Sequence, residues 1–219
     1  MTREKNRPNV SPVLTHYGWK ASTPPDSQDY LSPLLLSILQ NEPPGRILDL
    51  GCGNGALCRL LNSQGIDVVG MEPDADGVCI AREQLPSISF YQIGVDDDPC
   101  SITAVEGLFD AVVSTEVIEH LYSPHLLPSF ARCSLKPGGL LIVTTPYHGY
   151  LKNIFLSLAG KWDHHHTALW HGGHIKFWSR ATLTKLLETN GFVVERFHGV
   201  GRLPWLWKSM ILVARRSIA

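Results

Sequence analysis

The apolar positions of this chain fall into short runs that alternate with stretches of helical spacing. Residues 46–50, 66–71, 88–93, 108–114 and 140–145 are apolar runs of strand length, set off by glycine, proline, serine or acidic residues. Residues 54–64, 74–84 and 124–134 predict the helices between them, and Leu85-Pro86 stops the second. A further helix over 31–39 precedes the first strand and ends before Pro43-Pro44-Gly45. Such alternation gives a parallel sheet with helices on both faces. Right-handed crossovers then bring the loops after the strands to one edge, where ligands bind.

After the fifth strand the pattern changes. Residues 147–174 are irregular and rich in histidine and aromatic side chains. Within them Leu151, Ile154, Phe155 and Leu158 stand at i, i+3, i+4 and i+7, which predicts a short amphipathic helix. A helix over 180–190 follows, with Ser179 as N-cap, Leu183, Leu186 and Leu187 as its apolar face and Gly191 at its end. The last strands are 192–198 and 208–215, and the nine residues between them suit an antiparallel hairpin. Residues 1–13 read as a polar, proline-containing tail, and His16-Tyr17-Gly18-Trp19 places aromatic rings where they could cover a ligand. The expected organisation is a tail and cover segment over 1–29 and one domain over 30–219, with a lid at about 147–174.

The chain is organised around Ile47-Leu48-Asp49-Leu50-Gly51-Cys52-Gly53-Asn54-Gly55. A strand runs into a glycine turn and then a helix, so unpaired backbone N–H groups face a polar ligand. Gly51, Gly53 and Ala56 satisfy the loose dinucleotide fingerprint, and Glu72, 21 residues after Gly51, suits ribose hydroxyls. Asp49 weighs against a dinucleotide: its carboxylate would repel a pyrophosphate and attract a cationic ligand carrying sulfonium and ammonium groups.

Bulk numbers narrow the field. A chain of 219 residues suits one α/β domain with elaborations, and a net charge of -1 argues against a general polyanion binder, so nucleic acid is not indicated. The five cysteines are odd in number and form no C-x-x-C pair, which reads as reduced thiols in a cytoplasmic protein. The N-terminus lacks the apolar core of a signal peptide, and no run approaches the roughly 20 apolar residues of a membrane span.

Four stretches together resemble the class I S-adenosylmethionine-dependent methyltransferases: ILDLGCGNG, GMEPD, FDAVVSTEVIEHL and LKPGGLLIVTTP. The resemblance implies a Rossmann-like, doubly wound, seven-stranded sheet whose last strand is antiparallel and inserted between strands five and six. It implies that Asp49 and the turn of Gly51, Cys52, Gly53 and Gly55 line the methionine part of the cofactor. Glu72 would bind the ribose hydroxyls, with Pro73 beside the adenine. Val95 and Asp96 would sit at the adenine edge, although Gly94-Val95-Asp96 departs from the common pattern. Ser114, Thr115 and Glu116 would pass the methionine moiety.

The second constellation is Glu116-Val117-Ile118-Glu119-His120. On a helix Glu116, Glu119 and His120 would share one face, and two carboxylates with an imidazole suit Mg²⁺ or another divalent metal. A further ligand could come from His164, His165, His166, His171 or His174. The segment resembles the ubiquinone-pathway O-methyltransferases, and also the small-RNA 2′-O-methyltransferases that hold a divalent metal with such residues, where His174 would be the later histidine. The amphipathic stretch between Tyr150 and Trp162 also resembles the membrane-touching insertion of the quinol enzymes, which implies peripheral membrane contact there. The catalytic residues expected are Glu119, His120 and His174, with Glu116, Glu119, His120 and His174 as the metal set. Without a metal, His120 or a lid histidine would act as general base. The expected reaction is O-methylation of a small phenol- or quinol-like acceptor. An RNA 2′-O-methyltransferase and an NAD-linked oxidoreductase using the same turn are the alternatives.

Overall fold

The computed structural model describes residues 17–166, 169 and 172–218. Its strands are β1 (Arg46–Leu50), β2 (Asp67–Met71), β3 (Phe90–Tyr91), β4 (Phe109–Thr115), β5 (Leu135–Pro146), β6 (Phe192–Val200) and β7 (Ser209–Arg216). They form one sheet in the order β3-β2-β1-β4-β5-β7-β6, and β7 is antiparallel to both of its neighbours. The seven-stranded Rossmann-like architecture and the terminal hairpin are therefore as expected. The strand order reverses direction at β1 and β4, which opens a crevice beyond their carboxyl ends.

The helices are α1 (Asp26–Asn41), α2 (Ala56–Ser63), α3 (Ala75–Gln84), α4 (Cys100–Glu106), α5 (Leu126–Ser134), α6 (Tyr150–Leu158), α7 (Trp162–His166) and α8 (Arg180–Thr189). Two buried clusters fill the faces of the sheet. Along β1, Leu48 and Leu50 belong to one cluster and Ile47 to the other. Strand periodicity thus sends Asp49 to the face of Ile47, which α2 covers with Leu57, Cys58 and Leu61. On α8 the Ser179 hydroxyl and Thr182 form a reciprocal capping box, while Leu183 and Leu187 are buried. Each of those leucines contributes roughly 1.5–3 kcal/mol of burial.

Several boundaries differ from the sequence pattern. α1 starts at Asp26, inside the expected cover segment, because Leu31, Leu35, Ile38 and Leu39 bury one face and Asp26 and Asp29 favour its N-terminus. β3 shrinks to two residues, and β5 begins at Leu135, which pairs with Phe109 before a register shift. α4 and α7 have too few residues to show a periodicity. The 1–13 tail, His16 and His171 lie outside the described residues, as does the side chain of His164.

The largest correction concerns the segment after β4. Glu116 has φ 53, and only Ile118–His120 form a single 3-10 turn. There is no continuous helix to carry Glu116, Glu119 and His120 on one face.

Candidate functional site

A cavity of about 570 Å³ lies over the carboxyl ends of β1, β2 and β4, lined by Asp49, Gly51, Cys52, Gly53, Glu72, Pro73, Thr115 and Glu116 among others. The glycine turn is held against β2: Gly51 and Cys52 both donate their N–H to the Met71 carbonyl, at 2.8 and 3.0 Å. Glu72 then grips the turn, accepting from the Gly53 and Asp74 N–H groups at 3.0 Å each. Gly53, at φ 54, also lets Trp19 lie against it, since an added Cβ would come within 2.3 Å of the indole. Asp49 is fully buried; its Oδ2 accepts from the Cys58 thiol at 3.2 Å, and Oδ1 has no hydrogen-bond partner among the described residues. Burial pushes the Asp49 carboxyl up to about 7, with the Glu72 charge adding to it, and burial also pushes Glu72 up to about 7.

The segment before α1 crosses this wall. Asn54 Nδ2 donates to the carbonyls of Ala21 and Thr23 at 2.8 and 2.9 Å, and Asp74 accepts from the N–H groups of Tyr17 and Gly18 at 2.6 and 3.0 Å. Tyr17 packs edge-on to the His120 ring, with centroids 5.2 Å apart. Burial, reinforced by the charges of Glu119, Glu116 and Glu72, raises the Tyr17 phenol above its usual range.

The two glutamates part company at the end of β5. Thr144 Oγ1 donates to Glu116 at 2.8 Å, and Thr145 Oγ1 donates to Glu119 at 2.9 Å. Neighbouring strand residues point to opposite faces, so the two carboxylates are held on opposite sides of the strand end. Ser209, the start of β7, also donates to Glu116, at 3.2 Å. Burial raises Glu116 to about 7; burial and the Glu116 charge raise Glu119.

Glu119 faces two imidazoles. Its Oε1, buried and without a hydrogen-bond partner among the described residues, lies 4.0 Å from His120 Nε2 and 4.0 Å from His174 Nε2. One ligand atom from each of these three residues falls within 4.8 Å of the other two. His120 Nδ1 lies 2.7 Å from the Gly172 carbonyl and 3.3 Å from that of Gly173. Both partners are acceptors, so Nδ1 carries the proton and Nε2 the lone pair. The Glu119 carbonyl accepts from Ile175 and Lys176, at 2.9 and 3.0 Å, which fixes the chain beside His174. Burial lowers His120, and burial with the nearby His120 ring lowers His174 to about 4, so both rings are neutral near pH 7. Such a donor set fits a divalent cation.

The segment between β5 and α8 contributes α6 and α7. Lys152, only 4% exposed, donates to the Tyr147 and Lys208 carbonyls at 2.7 and 3.3 Å and lines the cavity with His165, Arg202 and Lys208. The apolar stripe of α6 faces outward: Leu151, Phe155 and Leu158 are exposed, and Lys152 and Leu156 are its buried residues. The amphipathic helix is present with its apolar face turned away from the core.

Of the residues singled out in sequence, Asp49, Gly51, Cys52, Gly53, Glu72, Pro73, Thr115, Glu116, His120 and His174 line the cavity. Glu119 is buried behind the two histidines. Gly55 instead packs toward Ala81, Leu85 and Phe90. Ser114 donates to the Leu50 carbonyl at 2.8 Å, tying β4 to β1. Val95 belongs to the core and Asp96 is exposed, so neither side chain lines the cavity. Glu116 is outside the Glu119–His120–His174 group. Thr144, Thr145, Ser209, Asp74 and Lys152 were not foreseen. Two adjacent threonines closing an otherwise aliphatic strand were the available signal for the first two.

The sequence matches the family described as "Methyltransferase domain" over residues 26–196. It is 34% identical to the mitochondrial ubiquinone biosynthesis O-methyltransferase of Rattus norvegicus, over 79% of this chain and 54% of that protein. The chain thus spans about half the length of the mammalian relatives it matches in the rat, human and mouse. In structure it resembles the PH0226 protein of Pyrococcus horikoshii, with a TM-score of 0.65 and 22% identity over 87% of this chain and 90% of that one. It also resembles the magnesium protoporphyrin IX methyltransferase of Synechocystis with bound SAH, at a TM-score of 0.63 and 20% identity over 84% of this chain and 81% of that one. These likenesses establish the fold.

Proposed function

The chain belongs to the methyltransferase-domain family, and from that premise we propose that it uses S-adenosylmethionine to methylate a hydroxyl of a small phenol- or quinol-like acceptor. The observation that carries the reading is the set of buried carboxylates, Asp49 and Glu72, around the glycine turn, with an Asp49 oxygen unpartnered among the described residues. A cationic ligand relieves that burial, whereas a pyrophosphate would add to the repulsion. The NAD-linked alternative is therefore not favoured. Names of relatives such as the rat and Bradyrhizobium O-methyltransferases support a hydroxylated small molecule as acceptor.

The cofactor supplies a methyl group already activated for in-line displacement. The chain must align the acceptor and take its proton. Asp49 and Glu72 hold the cofactor end, and the Tyr17–Trp19 segment and the lid exclude water. His120 and His174, neutral near pH 7, lie where an acceptor proton can be received. Glu119, His120 and His174 would hold a divalent cation, which there would lower the pKa of a hydroxyl and fix two neighbouring oxygens.

The exposed apolar face of α6 supports peripheral contact with a lipid surface. Tyr150, Phe155 and Leu158 are 78%, 59% and 84% exposed, a pattern that suits an acceptor drawn from a membrane. No helix among the described residues is long and apolar enough to cross one.

The test is twofold. Calorimetry should show S-adenosylhomocysteine binding and no NAD binding. Transfer of labelled methyl to a catechol panel should proceed and fall on EDTA treatment. NAD binding without S-adenosylhomocysteine binding would sink the cofactor reading; transfer unaffected by EDTA would remove the metal.

A further inference from the structure

We propose that Cys58 is a positioning residue for the cofactor: its thiol holds one oxygen of Asp49 so that the other is left for a cationic group of the ligand. This rests on the S-adenosylmethionine reading above. Strand periodicity turns Asp49 toward α2, and Cys58, in the first turn of that helix, is fully buried opposite it. The Cys58 Sγ lies 3.2 Å from Asp49 Oδ2. An ionised carboxylate can only accept, so the thiol donates.

The choice of a thiol has a physical logic. Burial pushes the Cys58 thiol well above its usual range, so it keeps its proton. A lysine or arginine there would neutralise Asp49 and cancel its attraction for a cationic ligand. A neutral donor orients the carboxylate and leaves its charge available. The thiol also sits in the apolar cluster formed by Leu57, Leu61 and Val78, where a small soft side chain is buried at low cost. Among the described residues, the groups that bear on Asp49 are Cys58 from α2, Cys52 from the turn and Glu72 beyond β2. None is a cation, and Glu72 repels it. With Oδ2 taken, Oδ1 is the oxygen without a partner among the described residues.

The experiment is calorimetric titration of S-adenosylhomocysteine into wild type, C58A and C58S from pH 6 to pH 8.5, with thermal melts to confirm folding. Removing the donor should weaken binding about tenfold at pH 7, in keeping with a hydrogen bond to a charged group. It should also move the half-maximal point of the pH profile upward, because an unassisted carboxylate ionises later. C58S, which restores a donor, should return affinity and profile to near wild type. A C58A protein with wild-type affinity and profile overturns the proposal. So does a loss that is equal at every pH and not rescued by C58S, since that is packing alone. If C58A does not fold, C58V keeps the bulk without the donor and is judged by the same profile. A wild-type protein that fails to bind at any pH overturns the cofactor reading itself and, with it, this one.

Discussion

The glycine-turn wall and the Glu119–His120–His174 corner border one cavity but are built by different means. On the wall, the carboxylates are held by groups no more than 19 residues away in the chain: one Asp49 oxygen by Cys58, and Glu72 by Gly53 and Asp74. In the corner, Glu119 is held by Thr145 and faces His174, more than one secondary element away in either case. Such a wall is encoded by one continuous stretch, from β1 to the start of α3. The corner exists only once β4, β5 and the stretch just before α8 have assembled. The same difference divides the labour we propose: the wall binds the cofactor, and the corner acts on the acceptor.

The division breaks or holds most visibly on two substitutions. Glu119→Ala should lower kcat about a thousandfold, within the range for losing a catalytic acid–base or metal-holding group, while S-adenosylhomocysteine affinity stays within about twofold of wild type by calorimetry. A parallel loss of cofactor affinity would show that the corner and the wall are not separable. Asp49→Asn should do the reverse, weakening S-adenosylhomocysteine binding about a hundredfold as a buried charge interaction is lost. Thermal melts at pH 8 should show the apo variant no less stable than wild type, because it no longer buries a raised carboxylate.

The sequence was most legible where structure is local. The glycine turn, Asp49 and the Ser179 cap each follow from spacing over a few residues, and Glu72 from its place at the end of the next strand, 21 residues after Gly51. The boundaries of β3 and β5 were blurred because pairing, not pattern, sets them: Leu135 joins the sheet by pairing with Phe109 across a register shift. The shared helical face of Glu116, Glu119 and His120 was a periodicity argument, and it failed at a single backbone angle, φ 53 at Glu116. Spacing could not show that Thr144 and Thr145 would then draw the two glutamates to opposite sides of β5. The outward apolar stripe of α6 has the same origin. Spacing predicts an apolar face, but tertiary contacts decide whether protein or something else covers it.

A smaller effect tests the wall by pH. Asp49 and Glu72 both ionise near pH 7 in the folded chain, above their ordinary carboxylate values. Cofactor affinity should therefore rise with pH, by about tenfold or more between pH 6 and pH 8 if ionised carboxylates attract the ligand. Stability of the apo protein should run the other way. A raised folded-state pKa gives a contribution that is fully present below the unfolded value, near 4, and is lost as pH rises through about 7. Melting temperatures measured with and without S-adenosylhomocysteine should thus diverge as pH increases. Parallel curves would mean that the wall does not recognise positive charge.

The smallest effect belongs outside the cavity. Replacing Leu151, Phe155 and Leu158 together by serine alters exposed side chains only, so melting temperature and turnover of a water-dissolved catechol should stay close to wild type. Association with phospholipid vesicles should fall several-fold, because each exposed apolar side chain adds a modest transfer energy. Cosedimentation measures it directly, and a long-chain acceptor presented in those vesicles should lose turnover in proportion. Unchanged cosedimentation would remove the lipid surface as the partner of α6 and leave the wall and the corner as they stand. Loss of turnover on the water-dissolved acceptor as well would mean that the outer face of α6 communicates with the corner through Lys152, which reaches from that helix to the Tyr147 and Lys208 carbonyls.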